Sequence, residues 1–245
     1  MSDTLKIEIL LFACLLSALP IKASVTETVS DGPDMEKIEW DNTLTLPPFN
    51  GKENIGIAGA FSGFIGDNLV IAGGANFPDA TPWKGGHKTW WNTLYYINTT
   101  QPDAKWSILP NRILKSLAYG NSIELPTGIV CIGGCDSLQC YSDVFQIQLK
   151  NGQIEIDTDW PALPVPLANA TAVLLNNKIY VSGGQESMTR QEATGHFFVL
   201  DPANRKKGWK TLSSWPGEPR GYAVSAAQSD GFDKCFYLFS GRNSV

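Results

Sequence analysis

Residues 69–74 read LVIAGG, a run of four apolar residues that ends on the glycine pair Gly73–Gly74. A short apolar run closed by glycines reads as a buried strand that stops where the backbone must turn without a Cβ. The stretch decides the fold because it returns. GIVCIGG ends at Gly133–Gly134, KIYVSGG at Gly183–Gly184, and CFYLFSG at Ser240–Gly241. From Gly73 to Gly133, Gly183 and Ser240 the steps are 60, 50 and 57 residues. A period near 50 residues belongs to repeat architectures such as propellers.

Two further markers keep time with the glycines. Alternating aromatic runs follow each pair: NTLYYIN at 92–98, SDVFQIQL at 142–149 and GHFFVLD at 195–201. Alternation of this kind marks half-buried strands. Tryptophans then precede leucine or proline in WDNTLTLPP (Trp40), WSILP (Trp106), WPALPVP (Trp160) and WKTLSSWP (Trp209). Small-residue stretches such as AGAFSGF and SLAYGNSI open each period.

Each period therefore carries four strands. The first is a small-residue inner strand, and the second ends on the glycines. The third is aromatic and the fourth carries the tryptophan. Inner strands crowd a central channel and need small side chains, outer strands have room for rings, and the tryptophan can pack between blades. The fold class is all-β, a kelch-type β-propeller of four-stranded antiparallel blades. Complete blades are expected at 56–109, 117–160 and 168–212, with part of a fourth at 221–245. A fourth-type strand at 37–48 stands alone, placed to close a ring. Propellers have four to eight blades, so the chain reads as a piece of a larger ring, 24–245 being its propeller part. Uncovered blade faces in such a piece are expected to drive self-association.

Composition narrows the function. The net charge of −5 provides no basic stripe for phosphates, so nucleic acid is not an expected partner. The opening MSDTLKIEILLFACLLSALPIKAS resembles a signal peptide over 1–23, with an apolar stretch at Ile9–Leu19 too short to span a bilayer. A periplasmic or secreted location follows, and no later segment is apolar enough to be a membrane span. Five cysteines occur, at 14, 131, 135, 140 and 235, with no CxxC pair and no histidine at zinc spacing, so no metal is expected. Cys135 and Cys140 can be a disulfide in an oxidising compartment or buried free thiols. No GxSxG, HExxH, phosphate-loop or dinucleotide fingerprint is present, and no cofactor is expected.

In a four-stranded meander, the loop after the second strand and the segment before the first lie at the same end of the blade. That face gathers Asn76, Lys84, His87 and Lys88 from the first blade and Asp136 from the second. Gln185, Glu186 and Arg190 come from the third. Arg112 and Arg220 precede inner strands. The candidate substrate-binding residues are Arg220, Arg112, Lys88, Asn76 and Glu186. Arg220 can grip a ligand carboxylate in a bidentate pair or brace the blade junction by bonding loop carbonyls. His196, at the start of an aromatic strand, reads as structural.

The ordered stretches AGAFSGFIGDNLVIAGGANFPDATPWKGG, KTWWNTLYYI, AYGNSI and GIVCIGG resemble the sialic-acid mutarotases, also called N-acetylneuraminate epimerases. The blade order is that of their cyclically permuted relatives, because LPVPLANATAVLLNNKIYVSGG, similar to the opening blade of the unpermuted form, comes third here. The resemblance runs from about Trp40 to Val245. It implies an exported six-bladed propeller that interconverts the anomers of sialic acid. Such chemistry needs a general acid/base at the anomeric hydroxyl and ring oxygen, with an arginine on the carboxylate. The family's catalytic glutamate lies in a GE…R element of a blade that falls beyond Val245, so the catalytic residues are unknown and the chain alone is expected to be inactive. Arg220 matches the arginine of the family's GGPR loop, whereas Leu117 stands where an inner-strand arginine is expected, with Arg112 nearby. The alternative is a non-catalytic kelch module that binds a glycan or a protein partner.

Overall fold

The glycine pairs sit where each blade is tied to the next. Gly74 donates its N–H to the carbonyl of Leu117 (2.7 Å), Gly134 to Leu167 (2.8 Å) and Gly184 to Arg220 (3.0 Å). Both glycines of each pair have positive φ. A Cβ on Gly73, Gly133 or Gly183 would lie 2.4, 2.4 or 2.1 Å from the next blade's carbonyl at Leu117, Leu167 or Arg220. Backbone conformation and backbone approach therefore both demand glycine at the first position of these pairs.

The structure, a computed structural model, describes residues 44–48, 51–110, 112–190 and 192–244. Its strands all fall within one unit, Thr45–Val245. The first blade contains β1 (Phe61–Ile65), β2 (Asn68–Ala72), β5 (Leu94–Asn98) and β6 (Ser107–Leu109), paired in that order. Within its long loop, β3 (Ala75–Asn76) and β4 (Thr89–Trp90) form a short ladder. The second blade is β7 (Asn121–Leu125), β8 (Gly128–Ile132), β9 (Val144–Lys150) and β10 (Gln153–Asp157). The third is β11 (Thr171–Leu175), β12 (Lys178–Ser182), β13 (Phe197–Leu200) and β14 (Lys210–Thr211). A hairpin of β15 (Val224–Ser229) and β16 (Lys234–Phe239) follows. All pairings are antiparallel. The fold is an all-β, kelch-type propeller arrangement of four-stranded blades.

The cores lie between blades. Phe61, Val70, Leu94 and Leu117 pack with Ile129, Phe145 and Ile147 at the first junction, where Phe61 and Phe145 meet edge to face at 5.5 Å. Ile123, Val130, Ile132, Leu167, Ile179 and Phe198 fill the second, covered by Trp160 and Trp209. The Trp209 indole donates to the Pro161 carbonyl across that junction (2.9 Å). At the third, Phe236 packs on Phe197 and Tyr180.

One strand is placed differently from its sequence reading. Trp106 and Trp209 immediately precede β6 and β14, but Trp160 follows β10 instead of sitting on it. The cause is the turn at Asn151–Gly152, with φ of 51° and 76°. Two consecutive positive φ values make a two-residue hairpin turn, so β10 begins at Gln153, directly opposite Lys150. Of the expected 37–48 strand, residues 37–43 lie outside those described, and Thr45–Pro48 carry no strand. The 1–23 segment read as a signal peptide is also outside the described residues, among which no helix is long and apolar enough to cross a membrane.

Candidate functional site

A backbone thread marks the face where the second-strand loops gather. Tyr119 donates its N–H to Gly59 (2.8 Å), Asn169 to Tyr119 (2.9 Å) and Tyr222 to Asn169 (2.9 Å). All four residues occupy one repeat position, just ahead of an inner strand, and all are left-handed, with φ of 64°, 64°, 55° and 56° in chain order from Gly59. Left-handed backbone at a tyrosine costs on the order of 1 kcal/mol or more, and persists where neighbouring bonds over-determine it. Here the blade-to-blade hydrogen bonds do so. The side chains of Tyr119, Asn169 and Tyr222 are thus presented in register at the end of the inner strands.

Around Tyr119 the loops of three blades converge. Cys135 and Cys140, paired across a narrow two-strand bridge, form a small cluster with Ala168 beneath Tyr119 and Met188. Burial pushes the Cys135 thiol up to about 11. Burial and then neighbouring Cys135 push Cys140 up to about 12. Both are free thiols. Their loop is held by Asp136, whose Oδ1 accepts from the N–H groups of Leu138 (2.7 Å) and Gln139 (2.9 Å). Its Oδ2 accepts the Tyr141 hydroxyl at 2.5 Å. Partial burial raises the Asp136 pKa, but the Tyr141 hydroxyl and these backbone donors outweigh it and hold the carboxyl below its ordinary value.

From the first blade, Lys88 places its ammonium 4.4 Å from the Tyr119 ring centroid and 5.3 and 6.0 Å from those of Trp90 and Phe77. From the third blade, Glu186 Oε1 lies 2.7 Å from His196 Nε2, with the imidazole stacked on Phe198 at 5.3 Å. This carboxylate–imidazole pair is partly exposed on both sides. It stands beside a cavity bordered by Ser187, Arg190, Glu192 and Thr194. Asn169 and Gln185 are buried next to it, joined Nδ2 to Oε1 at 3.0 Å.

The residues singled out in the sequence separate here. Lys88 and Glu186 border the Tyr119 cluster. Asn76 instead ties its loop to the segment before β1, donating to the Gly56 carbonyl (2.8 Å) and accepting the Trp91 indole (2.9 Å). Arg220 donates from Nη1 to the Ser240 carbonyl (3.0 Å), the bracing geometry, at the repeat position that buried Leu117 and Leu167 hold in other blades. Arg112 donates its backbone N–H to Asn92 (3.0 Å), and its Nε is buried without a partner among the described residues. His196, read as structural, proves to be the partner of Glu186. Tyr119, Asn169 and Tyr222 were not singled out. Their signal is the single residue between small ones in AYG, ANA and GYA, directly before an inner strand.

Known proteins resemble this chain in sequence and in fold. The family model described as N-acetylneuraminate epimerase matches residues 21–156, more than half of the chain. A Haemophilus influenzae (strain PittEE) protein named N-acetylneuraminate epimerase is 32% identical over 106 residues, covering 40% of this chain and 27% of the relative. A Brucella melitensis biotype 1 protein of the same name is 34% identical over 107 residues, covering 40% and 26%. The matched part thus spans about a quarter of these curated relatives' length. Among solved structures, that of YjhT superposes with a TM-score of 0.54 at 14% identity, over 77% of this chain and 67% of that one, a likeness of fold.

Proposed function

The chain belongs to the N-acetylneuraminate epimerase family, and from that premise we propose that the protein interconverts the anomers of a sialic acid at the face marked by Tyr119, Asn169 and Tyr222. The family match over residues 21–156 carries this reading. The resemblance puts the catalytic glutamate beyond Val245; we propose instead that the Glu186–His196 pair supplies the acid/base groups, so that this chain is itself active.

Mutarotation removes the proton of the anomeric hydroxyl and protonates the ring oxygen. The C–O bond of the ring then opens to the keto form and recloses on the other face. No cofactor is required, only a base and an acid whose roles reverse on closure. In the tautomer with hydrogen on Nε2, His196 donates to Glu186 and keeps its Nδ1 lone pair as a base. The carboxylate stabilises the imidazolium formed when that base takes a proton. Aromatic surfaces at Tyr119 and Trp90 suit the apolar faces of a pyranose ring. The proposed location is periplasmic or secreted, in keeping with the leader-like first 23 residues.

The test is proton NMR of freshly released α-N-acetylneuraminate with and without the protein. The α signal is expected to decay towards the anomeric equilibrium faster with protein present. An unchanged decay overturns the enzymatic reading, and ligand-signal broadening with no change in decay favours a glycan-binding module instead.

A further inference from the structure

Among the described residues, three half-buried cations lie over aromatic rings, and they are not alike. Lys115, 4.5 Å from the Tyr141 centroid, is paired with Asp143 at 2.6 Å. Arg205, 5.1 Å from Trp160, is paired with Asp157 at 2.9 Å and Asp159 at 3.2 Å. Lys88 is surrounded by Tyr119, Trp90 and Phe77, yet among the described residues no carboxylate lies within ion-pair distance of it. The nearby acid Asp136 is already engaged by the Tyr141 hydroxyl and its own turn. Removing an ammonium from water is costly unless an opposite charge answers it, and ring faces answer it only in part. The two paired lysine and arginine sites show how this protein completes such an arrangement. At Lys88 the anion is left to come from outside.

We propose that Lys88 is the anchor for the carboxylate of an acidic sugar, bound with its ring against Tyr119 and Trp90. This rests on the reading above of the face as a sugar site. The position suits it, because Lys88 reaches from the first blade over Tyr119 of the second, while Met188, two residues from Glu186, reaches the same cluster from the third. A carboxylate held at Lys88 would orient the sugar between the first and third blades. Being a point charge with three donors, lysine recognises the carboxylate by charge and reach.

Isothermal titration calorimetry of the protein and of Lys88→Met and Lys88→Arg with N-acetylneuraminate, its methyl ester, glucuronate and glucose tests this. The wild type is expected to bind an acidic sugar at least about tenfold more tightly than its neutral counterpart, the size typical of a hydrogen bond to a charged group. Lys88→Met should erase that preference and Lys88→Arg should keep most of it. Should glucuronate bind through Lys88 while N-acetylneuraminate does not, the anchor stands and the sialic-acid reading falls. The proposal is overturned if Lys88→Met keeps the preference, if the wild type binds ester and acid equally, or if no acidic sugar binds. The ester comparison needs no variant, so it holds even where Lys88→Met folds poorly.

Discussion

β8 and β16 hold the same place in their repeats and have comparable apolar content, yet they are packed very differently. All five residues of GIVCI are buried, whereas KCFYLF has exposed ends and a half-buried middle. β8 lies in a blade with a neighbour on each side, and its residues feed both junction cores. Among the described residues, β16 meets the third blade alone. A blade sequence thus specifies its own four strands, while burial is supplied by the blades beside it, as in other repeat proteins whose stability is a sum over neighbours. The glycine pair obeys the same logic. Gly133 faces the Leu167 carbonyl of the next blade, while its counterpart in the last repeat is Ser240, also left-handed at φ 56° but exposed.

Substitutions at paired positions can break this comparison. The largest effect is expected at Gly133→Val, where a branched side chain meets both positive φ and a carbonyl 2.4 Å from its Cβ. A loss of about 4 kcal/mol or more is expected in urea unfolding, against less than about 1 kcal/mol for Ser240→Gly. Equal losses would contradict the neighbour-based account. Ile129→Ala in β8 should cost about 2–4 kcal/mol by leaving a cavity. Phe236→Ala, removing a half-buried ring from β16, should cost about 1–2 kcal/mol by lost area.

Thiol labelling compares the same two regions at equilibrium. Burial pushes Cys135 and Cys140 up to about 11 and about 12, and Cys131, fully buried in β8, is raised well above its ordinary value. The thiolate is the reactive form, so at pH 8 these three should react with iodoacetamide at least about tenfold more slowly than the half-buried Cys235 of the β15–β16 hairpin. Peptide mass spectrometry reads the order, and rapid labelling of Cys131 would mean that the second blade opens.

The smallest effect concerns Asp136. Its folded pKa lies below the unfolded one, so its stabilisation is present above the unfolded value of about 3.9 and is lost as pH falls through the folded value. The group is largely solvent-screened, which limits the effect to a few tenths of a kcal/mol. Asp136→Asn should slightly flatten the dependence of unfolding midpoint on pH between about 5 and 3. A steeper dependence would contradict the assignment.

Much of the propeller was legible because its markers are periodic. Gly73–Gly74 and its counterparts are dictated by backbone sterics, and sterics repeat with the blade. The tryptophans were less reliable guides, since Trp160 follows its strand when Asn151–Gly152 shortens the preceding turn. The site was legible as a face and as separate residues, but its pairings were not. Glu186 and His196 are joined by the path of the loop between β12 and β13, and loop paths carry no period. Lys88 is enclosed by rings from two blades. Tyr119 and Tyr222 adopt a left-handed backbone that tyrosine does not itself favour, so only the bonds between blades reveal it. Asn76 and Arg220 show the converse: residue types suited to ligands, whose side chains instead bond neighbouring segments, Asn76 to Gly56 and Trp91 and Arg220 to the Ser240 carbonyl.

The central claim is that Glu186 and His196 handle the proton in sugar ring opening. It is tested most directly by following the decay of α-N-acetylneuraminate by proton NMR with the protein and with its Glu186→Gln variant at equal concentration. The predicted result is acceleration by the protein and a reduction of about a hundredfold or more in the variant. Equal rates for the two would contradict the claim.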